Sequence, residues 1–309
     1  MPYLPLVARR LTYLILAVGG FAALFLVWSA WHNSRTLSDA EMLKRLPSAD
    51  AVVLSIDFSQ LRHSGLFEKL TGSKRLEEAD YQAFVRDSGF DYKRDLDHVL
   101  ASFTTSGTLF VVRGRFDWAQ LQSYAKQSGG DCYNDLCHMP GSQPDRRISF
   151  LPLAKDVMGL AVTTSDSAAS QLLQPAASQR SIGVPTQPVW ISMPGSALLR
   201  SAKGVPGGNL LASSLTSVEE MMLTIGAQGN NFAARMEARC RSSQDAATLN
   251  AQLKTLTSFL QAAIAREKKK PETGNLTGVL TAGQFRQSDR TVYGEWTLEK
   301  SFFDTLGGM

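Results

Sequence analysis

The sequence has few of the residues that build metal centres and disulfide scaffolds. It contains three cysteines and four histidines in 309 residues, too few for a disulfide-rich scaffold or a four-cysteine zinc module. No H-E-x-x-H, G-x-S-x-G or P-loop motif occurs. The common signatures of zinc proteases, serine hydrolases and nucleotide-binding proteins are therefore missing, and we expect no metal and no cofactor.

An excess of charge of one sign is also missing. There are 32 basic and 28 acidic residues, which gives a net charge of +4. The one basic run, 266–270, ends a helical pattern just before Pro271, where basic residues complement the helix dipole. Such a distribution does not predict a nucleic-acid partner. Hydrophobic residues make up 44% of the chain, enough to bury a core.

One long apolar segment stands out at the N-terminus. Residues 11–31 (LTYLILAVGGFAALFLVWSAW) contain no charged residue, and a helix of this length spans about 31 Å. A cleaved signal peptide is the alternative, but a cut after Ala30 would place Trp28 where a small residue is needed. We therefore predict an uncleaved transmembrane helix whose partner is the lipid bilayer.

The charges that flank this segment predict its orientation. Arg9 and Arg10 precede it, and basic residues favour the cytoplasmic side. Residues 1–10 are then a cytoplasmic tail, and residues 32–309 lie outside the cytoplasm in a single-pass protein of the bacterial inner membrane. Three basic residues between 35 and 45 leave the opposite orientation open. For an exported domain, another envelope protein is a reasonable partner.

The three cysteines divide into a close pair and a distant single residue. Cys132 and Cys137 enclose Asn134-Asp135, which are good turn formers. Outside the cytoplasm this pair is expected to form a disulfide that closes a short local loop. A metal site with His138 would lack ligands. Cys240 is expected to remain a free thiol.

Alternating apolar residues and turn formers predict short strands joined in hairpins, with helices between them. Sequential hairpins imply a mostly antiparallel sheet, so the fold class is α+β. The longest predicted helix carries an apolar stripe at Leu249, Leu253, Leu256, Leu260 and Ile264. The predicted strands and hairpins cover 51–56, 99–116, 148–163, 189–193, 221–239 and 276–298. The predicted helices cover 38–46, 60–70, 77–88, 117–128, 165–173, 244–269 and 299–306.

The order of these elements occurs twice, which predicts an internal duplication. An offset of 122 residues aligns Gly107 with Gly229, and it aligns Phe110 and Arg113 with Phe232 and Arg235. A stretch rich in Pro, Ser and Gln separates the two predicted copies. The predicted organisation is a tether at 32–47, a first copy at 48–174, a linker at 175–188 and a second copy at 189–309.

The opening Leu46-Pro-Ser-Ala-Asp50-Ala-Val-Val, placed after an anchor, resembles a group of bacterial membrane-anchored proteins of unknown function. These proteins carry weakly repeated α+β units that each close with a hairpin and a short leucine-rich helix. The resemblance covers the pattern of most of residues 46–306 and includes no catalytic motif. It implies an architecture and a location, but no activity.

Three arginines are the candidate binding residues. Arg113 and Arg115 alternate with inward-facing apolar residues of a predicted strand, and Arg235 lies at the matching site of the second copy. They indicate either a binding surface for an anion or a protein, or a solvated sheet face. The acidic cluster 91–98 lacks the ligand spacing of a calcium loop.

These observations support two functional hypotheses. The first is a membrane-anchored extracytoplasmic protein that binds another protein or envelope component. The second is an extracytoplasmic enzyme whose site has no recognisable motif. The scarcity of histidine and the missing nucleophile–base signatures favour the first hypothesis over the second.

Overall fold

A computed structural model describes residues 36–65, 67, 79–203, 215–229, 231–266, 276–299 and 301–303. The predicted transmembrane helix at 11–31 lies outside the described residues. Within those ranges, no helix is both long and apolar enough to span a bilayer.

The described chain is built on a single antiparallel sheet of 12 strands. Its order is β11-β12-β10-β9-β8-β1-β2-β3-β7-β6-β5-β4, with every neighbouring pair antiparallel. The predicted α+β class with an antiparallel sheet is confirmed. The strands are β1 (Val52–Asp57), β2 (Leu96–Thr104), β3 (Gly107–Gly114), β4 (Asp131–Tyr133), β5 (Leu136–Pro140), β6 (Arg147–Ala154), β7 (Val157–Thr163), β8 (Val189–Pro194), β9 (Val218–Gln228), β10 (Asn231–Cys240), β11 (Gln284–Ser288) and β12 (Thr291–Leu298).

Helices begin where the sequence supplies capping residues. Ser38 and Glu41 form a capping box at the start of the first helix, and the Asp117 carboxylate accepts a hydrogen bond from the Gln120 amide at the start of another. The helices are α1 (Asp39–Lys44), α2 (Phe58–His63), α3 (Ala79–Ser88), α4 (Tyr92–Asp95), α5 (Trp118–Gln127), α6 (Gly195–Lys203), α7 (Ser243–Arg266) and α8 (Leu276–Thr281). A 3-10 helix covers Ala168–Leu173.

The two faces of the sheet carry different layers. We call the face that bears Val53, Leu100 and Val111 the front face; α1 and the 3-10 helix pack on it in one apolar cluster. The opposite, back face packs against most of the remaining helices, including α5, α7 and α8. In the half that contains β1–β7, the sheet is therefore covered on both faces.

The sheet has two halves that meet at the antiparallel pair β1 and β8. Outward from this pair, the order is β1-β2-β3-β7-β6 on one side and β8-β9-β10-β12-β11 on the other. The constant offset of 122 residues does not hold in the structure. Thr104 pairs with Gly107 across the first hairpin turn, whereas Gln228 pairs with Asn231 across the second. The second turn therefore comes two residues later than the offset predicts.

The structure differs from the sequence-based expectation in several places. The apolar run Leu276–Thr281 forms α8 and not the first part of a strand. A short apolar run does not distinguish the two by periodicity, and here Val279 is buried beside Phe232 and Phe303. The chain around the close cysteine pair forms the hairpin β4–β5, which extends the sheet. Of the stripe on α7, only Leu249 is fully buried, and the other four residues are half-buried.

Candidate functional site

The three predicted arginines do not form one surface. Arg113 and Arg235 both lie on the front face, but on β3 and β10, and four strands separate these two. Arg115 follows the end of β3. Each arginine therefore has a separate environment.

Arg113 holds α1 against the sheet. Its Nη1 donates a hydrogen bond to Asp39 Oδ1 at 2.7 Å, and its Nη2 donates to the Leu37 carbonyl. Asp156 lies on its other side, with an N–O distance of 3.9 Å. About a quarter of the Arg113 side chain is exposed. Arg113 therefore connects the sheet to α1 and has little exposed surface for another ligand.

Asp39 also leads into a polar network beneath α1. The Nδ1 atom of His98 lies 3.3 Å from Asp39 Oδ1, and its Nε2 lies 2.8 Å from Ser55 Oγ. Ser55, His98 and Asp39 thus have the connectivity of a serine–histidine–aspartate triad. The sequence separates these residues by 43 and 59 positions. The pairing of β1 with β2 brings Ser55 and His98 together, and the packing of α1 on these strands adds Asp39.

The burial of Ser55 and His98 indicates a structural role for this network. Ser55 is 2% exposed and His98 is 7% exposed, in the middle of the sheet and beneath packed side chains. A nucleophile must reach its substrate and needs donors for the developing oxyanion, and a serine covered in this way cannot. The network satisfies buried polar groups and fixes the position of α1.

His98 makes the stability of the fold depend on pH. Burial lowers the pKa of His98, although Asp39 and Asp57 oppose the shift and Arg113 adds to it. A histidine with a lowered folded-state pKa takes up its proton first in the unfolded state, so stability falls as the pH drops below about 6.5. We therefore expect a lower melting temperature at pH 5 than at pH 7.5.

The matched variants for this prediction are His98→Gln and His63→Gln, measured by thermal melts at both pH values. His98→Gln should flatten the pH dependence, whereas His63→Gln should keep the wild-type slope. His63 is a suitable control because it is exposed on α2, with its Nδ1 2.6 Å from the Ser59 carbonyl oxygen. Equal slopes in the wild type and His98→Gln would contradict the prediction.

Arg115 belongs to a turn that accounts for the acidic cluster. Its Nε lies 3.2 Å from the buried Asp95 carboxylate, and Arg94 makes a second ion pair with the same group at 2.9 Å. The hydrogen bond from Arg94 is the largest cause that lowers the pKa of Asp95 to about 2. Asp91 caps α4. The described residues contain no group of three or more potential metal ligands. The cap of α4 and the two ion pairs of Asp95 account for the acidic cluster as part of a turn.

Arg235 lies in a groove on the front face of the second half. The groove has a volume of about 630 Å³. The extended segment 183–187 forms one wall, and strands β9, β10 and β12 form the floor. We call it the front groove; its floor residues are Glu220, Met222, Thr224, Arg235, Glu237, Arg239, Thr291 and Tyr293.

The front groove carries both signs of charge. Arg235 lies 3.3 Å from Glu295, and Arg239 lies 3.4 Å from Glu219 and 3.2 Å from Glu220. The guanidinium of Arg286 stacks over the Tyr293 ring at 4.0 Å beside it. Most of these groups remain partly solvated, so their ion pairs contribute little to stability. The charges are balanced, which suits a polar protein surface better than a polyanion.

The wall of the front groove is held by a residue that the sequence did not single out. Arg180 lies in the predicted linker, yet its guanidinium pairs with Glu220 beneath the surface. The same side chain donates to the Ser48 carbonyl at 2.8 Å and to the Ser192 carbonyl at 2.9 Å. The linker is thus fixed to both halves, and no local pattern around Arg180 indicates this.

The predicted disulfide is confirmed. Cys132 and Cys137 are bonded and lie opposite each other on β4 and β5. Cys137 is fully buried in the apolar cluster under α5, so the bridge keeps the hairpin against that helix. Cys240 is a free thiol, as expected, and is fully buried.

Comparisons with known proteins give the fold alone. No family model and no curated protein matches the chain. Among solved structures, crystal form III of TP0453 is similar, with a TM-score of 0.50 and 11% identity over 86% of this chain and 98% of that one. Crystal form I of the same protein has a TM-score of 0.49 over 88% of this chain and 98% of that one. At this identity, the likeness is one of architecture.

Proposed function

We propose that this chain is a single-pass, membrane-anchored protein of the bacterial inner membrane whose extracytoplasmic domain binds an envelope protein. The apolar segment 11–31 would supply the anchor. The disulfide between Cys132 and Cys137 supports the outward orientation, because such bridges persist in oxidising compartments.

We further propose that the domain is a duplicated unit. Support comes from the strand order, which runs through the same sequence of connections outward from β1 and from β8. In both halves, long helices pack on the back face. The antiparallel contact of β1 with β8 is what a two-fold relation between the copies would require.

One observation carries the proposed binding role: among the described residues, helices cover the front face in the first half but not in the second. In the first half, α1 and the 3-10 helix bury this face with residues such as Met42, Ala169 and Leu172. In the second half, the described residues place only segment 183–187 along the corresponding strands. We propose that the envelope protein docks in the front groove and covers this open face.

The enzyme hypothesis has one constellation in its favour, the arrangement of Asp39, His98 and Ser55. Its buried serine supports a structural role, as argued above. The front groove offers arginine and glutamate side chains but no histidine or cysteine among its residues. We therefore retain the binding role as the proposed function.

A crosslinking experiment in the native host tests this role. A benzoyl-phenylalanine replaces the exposed Glu237 in the groove or, as a positional control, the exposed Gln82 on α3. Irradiation should give a discrete protein adduct from position 237 only. Arg235→Glu should reduce that adduct by at least about tenfold, because like charges at an interface cost several kcal/mol.

The matched charge control is Arg86→Glu, which reverses an arginine that is exposed on the other half of the domain. This variant should leave the adduct unchanged. An adduct of equal yield in both reversal variants, or no adduct from position 237, would refute the docking role of the front groove.

A further inference from the structure

An apolar cavity of about 330 Å³ lies between the back face of the first half and helices α3 and α5. In the part of the chain that the structure describes, no polar atom contributes to its surface. Six aromatic rings line it, together with aliphatic side chains of β2, β3, β5, β6 and β7. The rings are those of Phe84, Phe90, Phe110, Phe116, Tyr124 and Phe150.

The cavity is large for a wholly apolar space, and it is partly open to solvent. Protein interiors have few voids larger than a water molecule, and an engineered apolar cavity of about 150 Å³ already stays dry and binds benzene. This cavity is about twice as large. Phe84, Tyr124 and Leu160 on its walls keep partial solvent exposure, so the cavity opens to the surface.

The lining restricts what can occupy the cavity. A peptide would bring amide groups that find no hydrogen-bond partner there, at a cost of a few kcal/mol each. A sugar or nucleotide would face the same penalty. A hydrocarbon chain has no such groups and gains from burial, while its polar head can remain outside the opening.

The second half provides an internal comparison. On the back face there, Phe232 of β10 packs against Phe303 with ring centroids 5.1 Å apart, and Val279 of α8 completes the cluster. The chain's own apolar side chains thus fill that region. In the first half, aromatic and aliphatic side chains of the back face and of α3 and α5 line a cavity instead of filling the space between them.

The anchor would place a source of hydrocarbon chains next to the domain. The predicted transmembrane helix ends at Trp31, and α1, which is fixed to the sheet through Arg113, begins at Asp39. The seven residues between them reach at most about 25 Å. The domain therefore lies within a short distance of the bilayer surface.

We propose that the cavity binds an acyl chain of a bilayer lipid. This proposal rests on the anchor in the proposed function, but not on the front groove, which lies on the opposite face of the sheet.

Photolabelling of the full-length protein tests the proposal. The protein is reconstituted into phosphatidylcholine vesicles that contain a fraction of phosphatidylcholine with a diazirine in one acyl chain. After irradiation, adducts are mapped by peptide mass spectrometry. We expect adducts on cavity residues such as Phe84, Phe116 and Leu160, in addition to adducts in the anchor at 11–31. Adducts confined to the anchor would overturn the proposal.

A matched pair of variants locates the labelling. Leu160→Trp puts bulk into the cavity, and Leu173→Trp makes the same change at a residue that is 51% exposed. Leu160→Trp should lower cavity labelling by at least about tenfold relative to anchor labelling, and Leu173→Trp should not change it. Val99→Phe, also on the cavity wall, replaces Leu160→Trp if thermal melts show that the latter does not fold. Unchanged cavity labelling in a folded filling variant would overturn the proposal.

Two further outcomes test the lipid source and the membrane anchor separately from the binding of an acyl chain in the cavity. If a diazirine fatty acid added to unlabelled vesicles marks the cavity and the labelled phospholipid does not, a bilayer lipid is the wrong source. If the phospholipid marks the cavity but leaves 11–31 unmarked, the cavity proposal stands and the membrane anchor of the proposed function fails.

Discussion

Replacing Arg180 by alanine should lower the free energy of unfolding by about 3–5 kcal/mol, although the residue lies in a segment without helix or strand. The side chains of Arg180 and Glu220 are only 16% and 18% exposed. Without the guanidinium, the largely buried Glu220 carboxylate keeps the Ser192 hydroxyl and the half-exposed Arg239 but loses its more buried ionic partner. The carbonyl groups of Ser48 and Ser192 also lose a donor. Chemical denaturation followed by circular dichroism measures the change.

Two comparisons test the cause of this loss. Arg200→Ala removes an arginine that also bridges sequence-distant segments, to Asp50, but the side chains of that pair are 48% and 61% exposed. It should cost at most about 1 kcal/mol. The double variant Arg180→Met with Glu220→Met should recover much of the stability, because no buried charge is left unpaired. A double variant as unstable as Arg180→Ala would contradict this account.

Leu249→Asp should have a comparable effect on the second half. Leu249 is 2% exposed and packs with Met236 and Val292 beneath the first turns of α7. An aspartate there would bury a carboxylate without a partner, and we expect a loss of several kcal/mol or failure to fold. Denaturation of the purified full-length variant measures it.

Leu256→Asp is the matched control on the same stripe. The sequence pattern treats the two leucines alike, but in the structure Leu256 is only half-buried, and Phe259 nearby is 66% exposed. The carboxylate at position 256 can reach water, so we expect a clearly smaller loss of stability than at position 249. Equal losses would show that α7 packs along its whole length.

Local signals explain what could be predicted from the sequence. The capping box at Ser38 and Glu41 and the Asp117 cap act within one helical turn, and each marks a helix start that the structure contains. The hairpins β2–β3 and β6–β7 follow from alternation around short turns. The disulfide joins cysteines five positions apart. Each of these features is decided by neighbours in the chain.

Features that depend on long-range pairing were not predictable in this way. The network of Asp39, Ser55 and His98 exists because α1 lies across β1 and β2. Arg180 appears in the sequence as one polar residue among many in a linker. For the candidate site, alternation predicted that Arg113 faces away from Phe110 and Val112, and the 122-residue offset matched Arg113 with Arg235, but neither signal carries information on strand order. The four strands between them therefore became visible only in the structure.

The twist of the continuous sheet relates the front groove to the apolar cavity. Strand β10, on the floor of the groove, and β3, on the wall of the cavity, are five steps apart in the sheet. At about 20–25° per step, the normal of the sheet turns by roughly 100–125° between them. Two openings on opposite faces of a flat sheet would point in opposite directions. With that average twist, the front face at β10 and the back face at β3 would diverge by only roughly 55–80°, so a protein docked in the groove would not lie directly opposite the cavity.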